Sequence, residues 1–200
     1  MPLTWVAVTA LAAACAPTAT PSTLAAVAKV ESGFDPLAIG INGSDHRQIH
    51  PATLQQAVAT ASRLIGAGRN IDLGLAQINS GNLMRLGLSI DRAFDPCTNL
   101  AASGRVLQAA YTSVTRGTDG QDIAVLKALS LYNTGDAWRG FRNGYVAKVT
   151  AAAGKIVPAL QPAPAQTTVP PAPPAWDVFA RARPSAAGFV LSPAGMGDRP

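Results

Sequence analysis

Glutamate is almost missing from this chain: of 11 acidic residues among 200, ten are aspartate and Glu31 stands alone. Charge of either sign is also thin, at 14% of residues against 48% apolar, which excludes a polyelectrolyte tail protein and wholesale disorder. The net charge is +5, of which +4 belongs to residues 1–157. Aromatics make up 6%, and no basic stripe interleaves with them, so no nucleic-acid partner is expected. The mild excess of base suits a weakly anionic surface such as a cell wall or lipid headgroups. Cysteine occurs only as Cys15 and Cys97, too few for a disulfide-rich scaffold and enough for one bridge or two buried thiols. His46 and His50 have no cysteine or second ligand cluster nearby, so no metal is expected, and no cofactor is called for. Beyond the N-terminus no apolar run approaches the ~18 residues of a membrane span. The length fits one domain of ordinary size.

Proline divides what is there. Ten of the 16 prolines fall in residues 158–200, where a fixed φ and a missing donor exclude helix and central strand. This Pro-rich segment is expected to be extended and disordered, with Trp176-Asp177-Val178-Phe179 as an aromatic island that a partner could take. The preceding part, residues 15–157, reads as one mostly α domain. Pro21-Ser22-Thr23 opens a first amphipathic pattern and Pro51-Ala52-Thr53 a second, closed by the glycines at 66 and 68. Further patterns run over 100–114, 123–132 and 145–149. Asn42-Gly43 suits a tight turn, so at most one small β-hairpin is expected. Residues 1–14 form an apolar segment of signal-like length that no Lys or Arg precedes. Its alternative reading, adopted here, is the first helix of the domain.

Three short stretches carry polar groups suited to chemistry. Glu31 ends a helix that Pro36 must stop, where the negative end of the helix dipole disfavours a carboxylate. Asp72-Leu73-Gly74-Leu75-Ala76-Gln77-Ile78-Asn79 places two amides two residues apart, so an extended chain turns both to one wall, as a sugar rich in hydroxyl and acetamido groups requires. Ser130-Leu131-Tyr132-Asn133-Thr134-Gly135 ends another helix. Taken singly, these are a solvated glutamate, an Asx-stabilised turn and a core tyrosine before a C-cap.

Taken in order, Glu-Ser, Gly-Leu-x-Gln-Ile-Asn and Tyr-Asn resemble the lytic transglycosylases of the lysozyme superfamily. The likeness is closer to the transglycosylase component of bacterial type IV secretion systems, through Cys-Ala-Pro (15–17), Val-Glu-Ser-Gly-Phe (30–34), Ala-Ile-Gly (38–40), Asp-Pro-Cys (95–97), Leu-Tyr-Asn-Thr-Gly (131–135) and Gly-Tyr-Val (144–146). The resemblance covers roughly residues 14–152. It implies a lysozyme-like fold and an exported, periplasmic enzyme that opens peptidoglycan locally for a secretion or conjugation apparatus. The 158–200 tail shares composition only; its Pro-rich linker and aromatic island are expected to bind another component of that apparatus or to be released by proteolysis. The resemblance implies Glu31 as catalytic acid on the bond between N-acetylmuramic acid and N-acetylglucosamine, then as base on the sugar's own 6-hydroxyl, leaving a 1,6-anhydro end. Tyr132 would orient Glu31, Ser32 would brace the loop behind it, and Gln77, Asn79 and Asn133 would line the groove. A Cys15–Cys97 bridge is implied as well.

The residues agree with this. A general acid near neutral pH needs an apolar pocket, which Val30, Phe34 and Tyr132 can supply, and no other glutamate competes for the task. Two alternatives stay open. Asp72 also resembles the second carboxylate of hen-type lysozymes, which would allow hydrolysis if it came within about 5–6 Å of Glu31. An inactive glycan-binding scaffold is the other. Ala76 stands where the wider family often has methionine, and Gly40 where some members have serine.

Overall fold

The computed structural model describes residues 1–44, 46–115 and 120–154. The Pro-rich 158–200 segment, with its proposed partner motif, lies outside them. Helices dominate: α1 (Trp5–Cys15), α2 (Pro21–Ser32), α3 (Leu54–Gly66), α4 (Leu83–Leu86), α5 (Ile90–Ala93), α6 (Pro96–Val114), α7 (Gln121–Thr134), α8 (Arg139–Arg142) and α9 (Tyr145–Gly154). Four short strands, β1 (Ile39–Ile41), β2 (Arg47–Ile49), β3 (Ile71–Leu73) and β4 (Ile78–Asn79), form one antiparallel sheet in the order β2-β1-β3-β4.

Local chemistry explains the boundaries. The Thr4 hydroxyl accepts the Ala7 amide to start α1, and Thr53 does the same for Gln56 at α3. Pro21 and Pro96 occupy first-turn positions, where the missing donor costs nothing. The Asp95 carboxylate caps Thr98, so α6 begins four residues before the apolar pattern suggests. Gly33 and Gly135 close α2 and α7 in the left-handed conformation, at φ 63° and 68°.

The helices make two cores. One joins α1, α2, α6, α7 and α9 around Val8, Leu24, Val27, Leu100, Leu129 and Val149. The other lies under the sheet, where Ile39, Ile41, Ile71, Leu73 and Ile78 meet Ala57, Ala61 and Phe94. Val8 and Ala12 are wholly buried, so α1 is an integral part of the first core. A Cys15–Cys97 disulfide, with Cα atoms 5.4 Å apart, ties the end of α1 to the first turn of α6.

The hairpin expected around Asn42-Gly43 is β1–β2, and β3 and β4 extend it on the other side. Strands of two or three residues are shorter than any period a sequence scan can recognise. The sheet's register separates its two faces: Ile49, Ile39, Leu73 and Ile78 form one row toward the core, while Gln48, Gly40, Asp72 and Asn79 form the adjacent row on the opposite face. That polar row is one wall of the site.

Candidate active site

Glu31 is the last residue but one of α2, half-buried, with its carboxyl facing the polar row of the sheet. Two adjoining cavities of about 520 and 320 Å³ meet there, and Glu31, Asn42, Asp72, Gln77 and Asn133 line both. Burial pushes the Glu31 pKa from 4.5 up to about 7. The hydrogen bond from Tyr145 pulls it down less strongly, and the Asp72 charge raises it slightly. Its place at the negative end of α2 acts in the same direction as burial. Glu31 is therefore poised to give or take a proton near neutrality.

The phenol that touches it is Tyr145, at the start of α9, whose hydroxyl donates to Glu31 Oε1 at 2.6 Å. Tyr132, expected in that role, is directed elsewhere. Its hydroxyl donates to the Ala76 carbonyl at 2.7 Å and lies 3.0 Å from Ser103 Oγ, so both its hydrogen-bonding directions are used within the fold. Burial raises both phenol pKa values far beyond the usual range, and the Glu31 charge adds to this, so both remain neutral donors. Tyr145 sits in the Gly-Tyr-Val stretch, but on an apolar helical pattern it reads as a core residue. Asn143 fixes its position by accepting the Tyr145 amide at 3.0 Å.

Ser32 Oγ donates to the Leu75 carbonyl at 2.6 Å, joining the end of α2 to the turn before β4. Asn99, fully buried in α6, holds that same turn from below. Its amide nitrogen reaches the carbonyls of Leu73 (2.9 Å) and Ala93 (2.6 Å), and its oxygen accepts the Ala76 amide at 2.8 Å. Gly74, at φ 74°, is obligatory there, since a Cβ would lie 2.5 Å from the Ala93 carbonyl and 2.6 Å from the Asn99 amide.

Gln77 does not lie in extended chain as the two-residue spacing suggests; its φ is 52°. Apart from Phe34 (φ 74°), three residues after Glu31, it is the sole non-glycine residue with a positive φ among those described. Both N–H groups of the Gln77 amide are held by the carbonyls of Ala38 (3.1 Å) and Gly74 (2.8 Å), so it presents an acceptor and not a donor to the cleft. Its oxygen sits over Gly40, where any Cβ would come within 2.7 Å. A serine at that position would strike it, which gives the glycine a physical reason.

Asp72 faces the cleft with each oxygen held by an amide, Asn42 on Oδ2 and Asn79 on Oδ1, both at 2.7 Å. Burial nonetheless raises its pKa. Asn79 is further engaged with Asn70 and the Gly81 amide, so it supports Asp72 before it can serve a ligand. Asn133 lines both cavities and accepts from Asn143 at 3.0 Å. Gln48, from β2, donates to the Glu31 backbone carbonyl at 2.9 Å and closes the hairpin over the end of α2. Asn42, Gln48, Asn99 and Tyr145 escaped the sequence reading as site residues. For two of them a signal existed: the polar turn at Asn42, which pointed to conformation, and the Gly-Tyr-Val stretch at Tyr145, which carried no role.

A buried carboxyl of raised pKa in a groove walled by amides, set between helices and a small sheet, defines a glycosidase-type site. The Transglycosylase SLT domain matches residues 9–152, and the chain belongs to that family; it is a lytic transglycosylase. Among curated relatives, Protein virB1 of Agrobacterium fabrum (strain C58 / ATCC 33970) is 40% identical over 179 residues, 89% of this chain and 72% of that protein. Protein virB1 of Rhizobium radiobacter is 45% identical over 146 residues, covering 73% of this chain and 60% of its own length. Type IV secretion system protein virB1 of Brucella abortus biovar 1 (strain 9-941) is 41% identical over 150 residues, 72% and 62% respectively. The chain thus spans less than two thirds of the latter two relatives. No solved structure matches. Among the described residues no helix is long and apolar enough to cross a membrane.

Proposed function

We propose that this enzyme cleaves the β-1,4 bond between N-acetylmuramic acid and N-acetylglucosamine in peptidoglycan and leaves a 1,6-anhydro end. The observation that carries the reading is the Glu31 carboxyl, half-buried on a cleft wall and held by Tyr145, with its pKa near 7. Protonated Glu31 gives its proton to the glycosidic oxygen as the C1–O bond breaks. The sugar's acetamido oxygen covers C1 on the opposite side. The 6-hydroxyl then attacks C1, and its proton returns to Glu31. No water is consumed and the acid is regenerated. Tyr145 is the positioning residue, Gln77 offers an acceptor to the glycan, and Asn133 lines the groove beside it.

The test compares purified protein with its Glu31→Gln variant on peptidoglycan sacculi, with muropeptides analysed by mass. Anhydro ends that disappear in the variant support the reading, and equal products from both remove it. One observation favours a second reading: Asp72 lines both cavities beside Glu31, with its oxygens fixed by two amides. Hydrolysis through that second carboxylate would yield reducing ends in place of anhydro ends.

We place the activity in the periplasm, and in the assembly of a type IV secretion apparatus, the system for which the Brucella relative is named. A disulfide suits an oxidising compartment. Residues 1–157 would form the catalytic unit, and the 158–200 segment would meet another component. A truncation at Ala159 that leaves secretion intact would remove that last proposal.

A further inference from the structure

The two halves of the cleft differ in charge. The larger cavity takes His46 and Arg47 from the β1–β2 hairpin on one side and Lys148 from α9 on the other. Among the described residues, the smaller cavity is lined by no lysine, arginine or histidine. Lys148 stands three residues after Tyr145, on the same helical face, so its ammonium flanks the half that begins at the acid. Among the described residues no carboxylate pairs with it. The carboxyls in that half are Glu31, held by Tyr145, and Asp72, whose two oxygens are already taken by Asn42 and Asn79.

A neutral glycan has no use for such a rim. Peptidoglycan differs from a neutral chain of N-acetylglucosamine in one respect: every second sugar bears a lactyl ether, whose carboxyl is either free or extended by a peptide with carboxylates of its own. We propose that the His46–Arg47–Lys148 side of the cleft binds the carboxylates of the stem peptide, so that the enzyme selects peptide-bearing strands over bare ones. This rests on the peptidoglycan reading and names the part of the substrate that the larger cavity holds. Cations on both banks let a flexible peptide be held from either side without fixing its sequence, and selection is electrostatic and salt-sensitive.

The test uses the full chain carrying Glu31→Gln as a non-cleaving binder. Dissociation constants are measured by calorimetry for peptide-bearing glycan fragments, for the same fragments after amidase removal of the peptides, and for chitotetraose. Adding Lys148→Glu removes one attraction and adds one repulsion at an exposed position, and should weaken the peptide-bearing ligand about tenfold while chitotetraose changes less than about twofold. A loss shared equally by both anionic ligands but not by chitotetraose would mean that any carboxylate on the muramic sugar suffices, and overturns the selection of peptide-bearing strands. No loss, or an equal loss on all three, overturns the proposal. The wild-type muropeptide assay tests the reaction separately: absence of anhydro ends would remove the reaction while leaving these affinity ratios to stand or fall alone.

Discussion

Replacing Glu31 by glutamine should stabilise this protein, and only toward alkaline pH. In the fold Glu31 keeps its proton up to about pH 7, against 4.5 for an ordinary glutamate. That separation is worth about 3 kcal/mol at ~1.4 kcal/mol per pH unit. Below pH 4.5 folded and unfolded chains both hold the proton, and the site adds no pH dependence. Between 4.5 and about 7 the unfolded chain ionises first, so wild-type stability falls as pH rises; above about 7 both forms are ionised and the loss is complete. Glutamine never ionises and escapes this loss. Because the cleft is open to water, about 3 kcal/mol is an upper figure, equivalent to about 6–12 °C in Tm for a domain of this size. Urea and thermal unfolding of both proteins at about pH 4 and about pH 8 would measure it. A variant no more stable than wild type at the higher pH, or a gap equal at both, would refute the claim that burial holds this carboxyl neutral.

Other perturbations test neighbouring parts of the site. Tyr145→Phe removes the hydrogen bond that holds the Glu31 pKa down; the alkaline limb of the pH–rate profile should move up and kcat fall about tenfold. Gly40→Ala drives a Cβ into the Gln77 oxygen; calorimetry should find glycan affinity reduced about fivefold, at a stability cost of about 1 kcal/mol. Asn99→Ala leaves three buried backbone groups without partners; the urea midpoint should drop by the equivalent of about 3 kcal/mol.

Long periodic stretches were legible in the chain, and so was Glu31. α2, α3, α6 and α7 follow from apolar spacing and proline or glycine punctuation, because each runs for three or more turns between such signals. Beyond the β1–β2 hairpin, the strands and the four-residue helices did not, since β3 exists by pairing with β1 and β4 by pairing with β3. At the site, motifs brought out Gln77, Asn79 and Asn133 but not what each side chain bonds. Tyr132 and Tyr145 both belong to apolar helical patterns, and which hydroxyl meets Glu31 depends on how α7 and α9 lie against α2. Asn99 looks like an ordinary early-helix residue until the turn at Gly74 is placed over it.

The bridge between Cys15 and Cys97 encloses Glu31, Gly40, Gln48, Asp72 and Gln77 in one covalent ring, while Asn133, Tyr145 and Lys148 lie outside it, held by noncovalent contacts alone. The two banks of the cleft are therefore tethered unequally. Unfolding that starts at α7–α9 would open the site while the ring side still stands. A sugar chain lying across both banks acts as a staple between them, and hydrogen exchange in α9 should slow more than in β3 when it is bound.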